Sequence, residues 1–86
     1  MICHFSGRVQ GVGFRYTVKN VAQQYDVGGY VKNLPDGRVE LVMEGRDSEM
    51  NHLLADVNDR MRDYVNAVDQ KILPASNEFS RFWIQH

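Results

Sequence analysis

Residues 2–25, ICHFSGRVQGVGFRYTVKNVAQQY, change character twice. Residues 2–6 alternate, with Cys3 and Phe5 on one face and His4 on the other, which is the period of a strand. Glycines at 7, 11 and 13 make the next seven residues too flexible for a helix interior, and from Phe14 a 3.6-residue period takes over. Phe14, Val18, Val21, Ala22 and Tyr25 fall within roughly 100° of one another on a helical wheel, the width of a core-facing stripe. A helix over 14–25 is predicted, ending before Gly28-Gly29. The opening third of the chain is therefore a strand feeding a helix through a glycine loop.

Beyond that helix, residues 30–34 and 38–44 favour strands, and Pro35-Asp36-Gly37 between them is hairpin chemistry. Val39, Leu41 and Met43 alternate with Glu40, Val42 and Glu44, giving one packed and one wetter face. Ser48 is the expected N-cap of a second helix over 49–62, whose stripe is Met50, Leu53, Leu54, Val57 and Met61. A fourth strand is expected within 64–73 on the strength of Val65, Val68 and Ile72, then a turn at Pro74-Ala75-Ser76-Asn77. A fifth is expected over 79–84, with Phe82 and Ile84 on one face. The order strand, helix, strand, strand, helix, strand predicts an α+β, ferredoxin-like sandwich: an antiparallel sheet with both helices on one face.

A chain of 86 residues suits one domain over 1–86, and its 43% hydrophobic and 24% charged residues are those of a folded globular protein. No stretch free of Lys, Arg, Asp and Glu is long enough to span a bilayer, which takes roughly 20 apolar residues. The formal charge of −1 supplies no global field for nucleic acid or anionic lipid, so any anion site is local. A lone cysteine and an N-terminus without leader features make the cytoplasm the expected location.

Gly7-Arg8-Val9-Gln10-Gly11-Val12-Gly13-Phe14-Arg15 is the densest chemical signal. Glycines let successive N–H groups turn toward one point, and the helix start adds unpaired donors and the positive end of its dipole, a phosphate cradle in principle. Arg15 sits in the first turn, off the buried stripe, where a cation opposes the dipole by about 0.3–1 kcal/mol unless something negative sits beside it. From these residues alone, a tight strand-to-helix connection with a solvated Arg15 is an equal alternative. The spacing is not that of a dinucleotide fold, because Tyr16 stands where a third glycine would, and no P-loop Lys-Ser or Lys-Thr is present. In Gly29-Tyr30-Val31-Lys32-Asn33-Leu34-Pro35-Asp36-Gly37-Arg38-Val39, the Asn33 amide can donate and accept as water positioning requires, while by propensity it caps the hairpin.

Together the two segments resemble the signatures of the acylphosphatase family. The first signature is glycine, any residue, Val-Gln-Gly-Val, any residue, Phe-Arg, here GRVQGVGFR at 7–15; the second is here GYVKNLPDGRV at 29–39. The resemblance covers the whole chain. It implies the ferredoxin-like fold and hydrolysis of the carboxyl–phosphate anhydride of a small acyl phosphate to carboxylate and inorganic phosphate. No metal, cofactor or covalent intermediate is implied. By position, Arg15 matches the arginine that grips the phosphoryl group and Asn33 the asparagine that orients the attacking water. The backbone amides of Gln10, Gly11, Val12, Gly13 and Phe14 match the phosphate-binding loop, and the substrate itself is expected to take the water's proton.

Phosphate is expected as product and inhibitor, with no nucleic-acid or membrane partner and a monomeric chain. The alternative class is a small ferredoxin-like binding module. A single-stranded RNA binder would carry its glycine-aromatic motif on strand three, where this chain reads RVELVME, and a non-catalytic domain would handle carbamoyl phosphate within a longer protein. Cys3 reads as a buried structural thiol; His4, His52 and His86 lack ligand spacing; Met50 and Met61 read as core. Asp56, Asp59, Arg60, Arg62 and Asp63 read as the wet side of helix two.

Overall fold

The computed structural model describes residues 1–74 and 78–86. In chain order the elements are β1 (Ile2–Gly7), α1 (Phe14–Ala22), β2 (Val27–Asn33), β3 (Val39–Gly45), α2 (Asp47–Arg60), β4 (Val65–Lys71) and β5 (Phe82–Ile84). They form one five-stranded sheet in the order β4-β1-β3-β2-β5, with the expected ferredoxin-like arrangement.

Alternation sorts the strands as the sequence suggests. Cys3 and Phe5 of β1, Val31 of β2 and Val39, Leu41 and Met43 of β3 are buried, as are the stripes of α1 (Phe14, Val18, Val21, Ala22) and α2 (Met50, Leu53, Leu54, Val57). Registers such as Cys3 with Leu41 and Val31 with Leu41 bring these columns side by side. One hydrophobic layer therefore separates the sheet from both helices. Burial pushes the Cys3 thiol up to about 11, the behaviour of an inert core cysteine. Among the described residues, no helix is long and apolar enough to cross a membrane.

The opposite sheet face is polar at its centre. Glu40 accepts from His4 Nε2 at 2.9 Å through Oε1 and from the Tyr30 hydroxyl at 3.0 Å through Oε2, tying β1 and β2 to the β3 between them. Burial raises the Glu40 carboxyl's pKa, but these hydrogen bonds and the nearby His4 and Lys32 outweigh it and hold the group below its ordinary value. On the same face Tyr30, Phe79 and Trp83 cluster with ring centroids 5.6–6.0 Å apart.

Several expectations are corrected. The sheet is mixed, because β5 pairs parallel with β2. The link from β4 carries the chain from one edge of the sheet to the other, and a three-residue strand contains too little pattern to reveal its partner. β5 also begins at Phe82, since Phe79 belongs to the aromatic cluster. α1 stops at Ala22; Gln24 and Tyr25 make tight-turn bonds to Val21 and Ala22, and Gly28-Gly29 lie inside β2 instead of ending the helix. Ser48 is not a cap, because α2 starts at Asp47 behind Arg46, and Met61 stands just beyond the helix end. Asp59, Arg60, Arg62 and Asp63 are exposed as expected, whereas Asp56 is half-buried and accepts from Tyr25 and Arg60. The turn expected at 74–77 lies, beyond Pro74, outside the described residues.

Candidate active site

β1 delivers the chain to residue 7 at the end of the sheet where β2 finishes at Asn33, and α1 starts beside it. Val9 is fully buried and anchors the loop in the core, while the flanking Gln10 and Gly11 stay nearer the surface. Gly11 and Gly13 have φ of 77° and 76°, the left-handed region that side chains with a Cβ adopt at a cost of roughly 1–2 kcal/mol. Gly13 is the N-cap of α1 and carries no side chain to satisfy the helix's first donors. The first helical hydrogen bond runs from Thr17 N–H to the Gly13 carbonyl at 3.0 Å. Among the described residues, the N–H groups of Gln10, Gly11, Val12, Gly13 and Phe14 donate to no backbone carbonyl. The first turn of α1 also contains no acidic residue.

The two arginines of the loop differ. Arg8 is committed elsewhere: its N–H donates to the Tyr64 carbonyl at 2.9 Å and its guanidinium lies 5.1 Å from the centre of the Tyr64 ring. Arg15 is half-buried and donates at 3.4 Å to Nδ1 of His86, an exposed contact near the long limit for a hydrogen bond.

Asn33 has the same strand parity as Val31, so it occupies the helix-facing column where that column reaches the loop. Its Oδ1 is buried and, among the described residues, has no hydrogen-bond partner. The hairpin that follows is closed by other groups: Leu34 N–H to the Arg38 carbonyl at 2.8 Å, Gly37 N–H to Leu34 at 3.1 Å, and Asp36 accepting from Arg38 N–H and Nε. Asn33 lies with Val9, Gly11, Gly13, Phe14, Arg15 and Tyr16 around a cleft of about 100 Å³. That is well below the roughly 300–1,000 Å³ of pockets that enclose a drug-sized molecule, and it suits a small anion. Larger cavities of about 790 and 510 Å³ lie elsewhere and contain neither Arg15 nor Asn33.

Of the residues singled out in the two signature segments, the cleft thus gathers Arg15, Asn33, Gly11, Gly13 and Phe14, while Gln10 and Val12 are not on its wall. Gln10 turns away and donates through Nε2 to the carbonyls of Leu34 and Arg38 at 2.8 and 3.0 Å. Sequence reasoning assigns Gln10 only a backbone role, and no local signal points to this side-chain contact across more than twenty positions. Tyr16, 64% exposed at the cleft's rim, is likewise missed by the sequence patterns. Among the described residues, no group of three or more His, Cys, Asp and Glu is arranged to hold a metal ion.

The profile of the acylphosphatase family matches residues 1–84. An acylphosphatase of Lactobacillus johnsonii is 39% identical over 79 residues, 90% of this chain and 87% of that protein. A crystal structure of acylphosphatase from Bacillus subtilis superposes with a TM-score of 0.85 at 31% identity, covering all of both chains. The crystal structure of T. kodakarensis HypF gives a TM-score of 0.84 at 30% identity over 99% of this chain, which corresponds to 11% of that one. With its two glycine-bearing segments brought to one small anion-sized cleft and its whole length shared with these relatives, the chain belongs to the acylphosphatase family.

Proposed function

We propose that the cleft between the 10–14 loop and Asn33 is where this chain hydrolyses acyl phosphates, with Arg15 and Asn33 as its two working side chains. The observation that carries the reading is the buried, unpartnered Oδ1 of Asn33 beside Arg15 and a row of backbone donors without backbone acceptors. A buried polar atom without a partner is costly; Asn58 Oδ1 on α2 is another such atom, and what distinguishes Asn33 is its place on the wall of the cleft with Arg15 and the glycines of the loop.

The phosphoryl oxygens sit against the loop N–H groups, the N-terminus of α1 and the Arg15 guanidinium, which neutralise charge as it spreads in the transition state. Asn33 Oδ1 accepts a hydrogen bond from water and holds its lone pair toward phosphorus. The water oxygen bonds to phosphorus as the bond between phosphorus and the acyl oxygen breaks. The electron pair leaves on the carboxylate, and the water's proton passes to a phosphoryl oxygen. A carboxylate is a good leaving group, so positioning and charge neutralisation suffice without a stronger nucleophile. The active species is a monomeric single domain over 1–86, acting in the cytoplasm without metal or cofactor.

Phosphate release from acetyl and benzoyl phosphate in excess EDTA tests this, with a phosphomonoester as control. Release from both acyl phosphates and none from the monoester is expected. No release above the uncatalysed rate would refute the enzyme reading, and binding of carbamoyl phosphate without turnover would favour the non-catalytic alternative.

A further inference from the structure

We infer that the Gln10 side chain is a positioning residue that sets the alignment of the phosphate loop against Asn33. This rests on the function proposed above and concerns how its two halves are held together.

The halves belong to different parts of the chain. Gln10 to Arg15 form one continuous segment, so the loop donors and the guanidinium move together. Asn33 stands at the end of β2, with Val39 of β3 as its register partner. In-line attack depends on the distance and angle between these segments, and a misplacement of about 1 Å can cost roughly 10²-fold in rate. Val9 buries beside the loop, but an apolar contact is non-directional and fixes depth better than orientation.

Gln10 supplies the directional contact. Its Nε2 donates to the Leu34 carbonyl at 2.8 Å and the Arg38 carbonyl at 3.0 Å. Leu34 directly follows Asn33, and Arg38 directly precedes Val39, so both acceptors are one peptide from the Asn33–Val39 pair. The Arg38 carbonyl also accepts from Leu34 N–H at 2.8 Å, the bond that closes the hairpin. One carboxamide thus spans both sides of the hairpin mouth, on a loop whose glycines at 11 and 13 provide no side-chain contacts of their own. Losing it leaves the anion-binding segment intact and frees it to shift relative to the water site.

The test is a double-mutant cycle between Gln10→Met, which keeps the side chain's length without its donor, and Asn33→Ala. Acetyl phosphate kinetics and inhibition by inorganic phosphate are measured for each variant. Gln10→Met is expected to lower kcat about 10–100-fold, because alignment is lost. Inhibition by phosphate should stay within about twofold of wild type, and in the Asn33→Ala background the same change should alter kcat by no more than about twofold. Equal losses in both backgrounds would show a merely structural contact and overturn the inference. So would loss of phosphate affinity in step with kcat, or a normal kcat. If Gln10→Met does not fold, Gln10→Leu serves the same cycle, since it is neutral and cannot donate to the two carbonyls. Wild-type protein that fails to hydrolyse acetyl phosphate would count against the proposed function itself, whereas an active wild type with an additive cycle counts only against Gln10.

Discussion

The two helices of this small protein begin in opposite ways. α2 carries Asp47 and Glu49 in its first turn, and Glu49 also accepts from Asp26 N–H at 2.9 Å. Its positive dipole end is answered by its own side chains. α1 starts at a left-handed glycine, has no acid in its first turn, and places Arg15 there. Both helices bury apolar stripes against the same sheet, so packing does not explain the difference. A helix start that adds a cation to a positive end favours an anion from outside, and in the proposed site that anion lies in the cleft that Arg15 shares with Asn33.

The largest expected effect comes from removing the cation. Arg15→Ala should lower kcat/KM about 10²–10³-fold through both binding and turnover, and Arg15→Lys should not restore it, because an ammonium lacks the planar fork. Asn33→Ala should instead reduce kcat while leaving phosphate inhibition nearly unchanged, the mark of an interaction made chiefly in the transition state. Steady-state kinetics on variants shown to be folded by circular dichroism separate the two; a normal kcat for Asn33→Ala would reassign the water site.

Adding an anion should stabilise the protein next most strongly. Inorganic phosphate at 100 times its Kd should add about 2.7 kcal/mol, read as a raised Tm with ionic strength matched by chloride. The gain should shrink in Arg15→Ala. An unchanged Tm would mean that no preformed cradle exists at the start of α1.

A smaller effect would make α1 resemble α2. Tyr16 is exposed and lies in the first turn, so Tyr16→Glu should stabilise the phosphate-free protein by about 0.3–1 kcal/mol while weakening phosphate binding. Stability and affinity should move in opposite directions. If both fell together, the N-terminus of α1 would not be the shared anion site.

The smallest effect concerns acid. The start of α1 has no carboxylate to protonate, so acid should act first on groups such as Glu40, on the other face of the sheet. Its folded pKa lies below the ordinary 4.5, so the unfolded chain binds more protons between the two values. The stabilisation is complete above the unfolded pKa and fades as pH falls through the folded one. Glu40→Gln should flatten that part of the pH–stability curve without changing kcat at neutral pH, which urea unfolding at several pH values would reveal.

Much of this was legible in one dimension. Strand alternation at Cys3 and Phe5, or Val39, Leu41 and Met43, and helix periodicity from Phe14 and from Met50 are local patterns, and local patterns determine which side of an element is buried. The same holds for the backbone of the 7–13 loop, since Gly11 and Gly13 announce a conformation that a Cβ would strain. What the sequence did not disclose was every relation between segments distant along the chain. The parallel pairing of β5 with β2, the reach of Gln10 to the far hairpin and the burial of Asn33 Oδ1 without a partner depend on which strands become neighbours and in what register. Periodicity depends on the spacing of residues along one element, whereas these contacts depend on the packing that brings elements together. The order of amino acids sets the elements, their buried faces and the chemistry of the loop. That Arg15 and Asn33 share one cleft follows from the folded arrangement alone, because their meeting depends on sheet register and on the packing that starts α1 beside the end of β2.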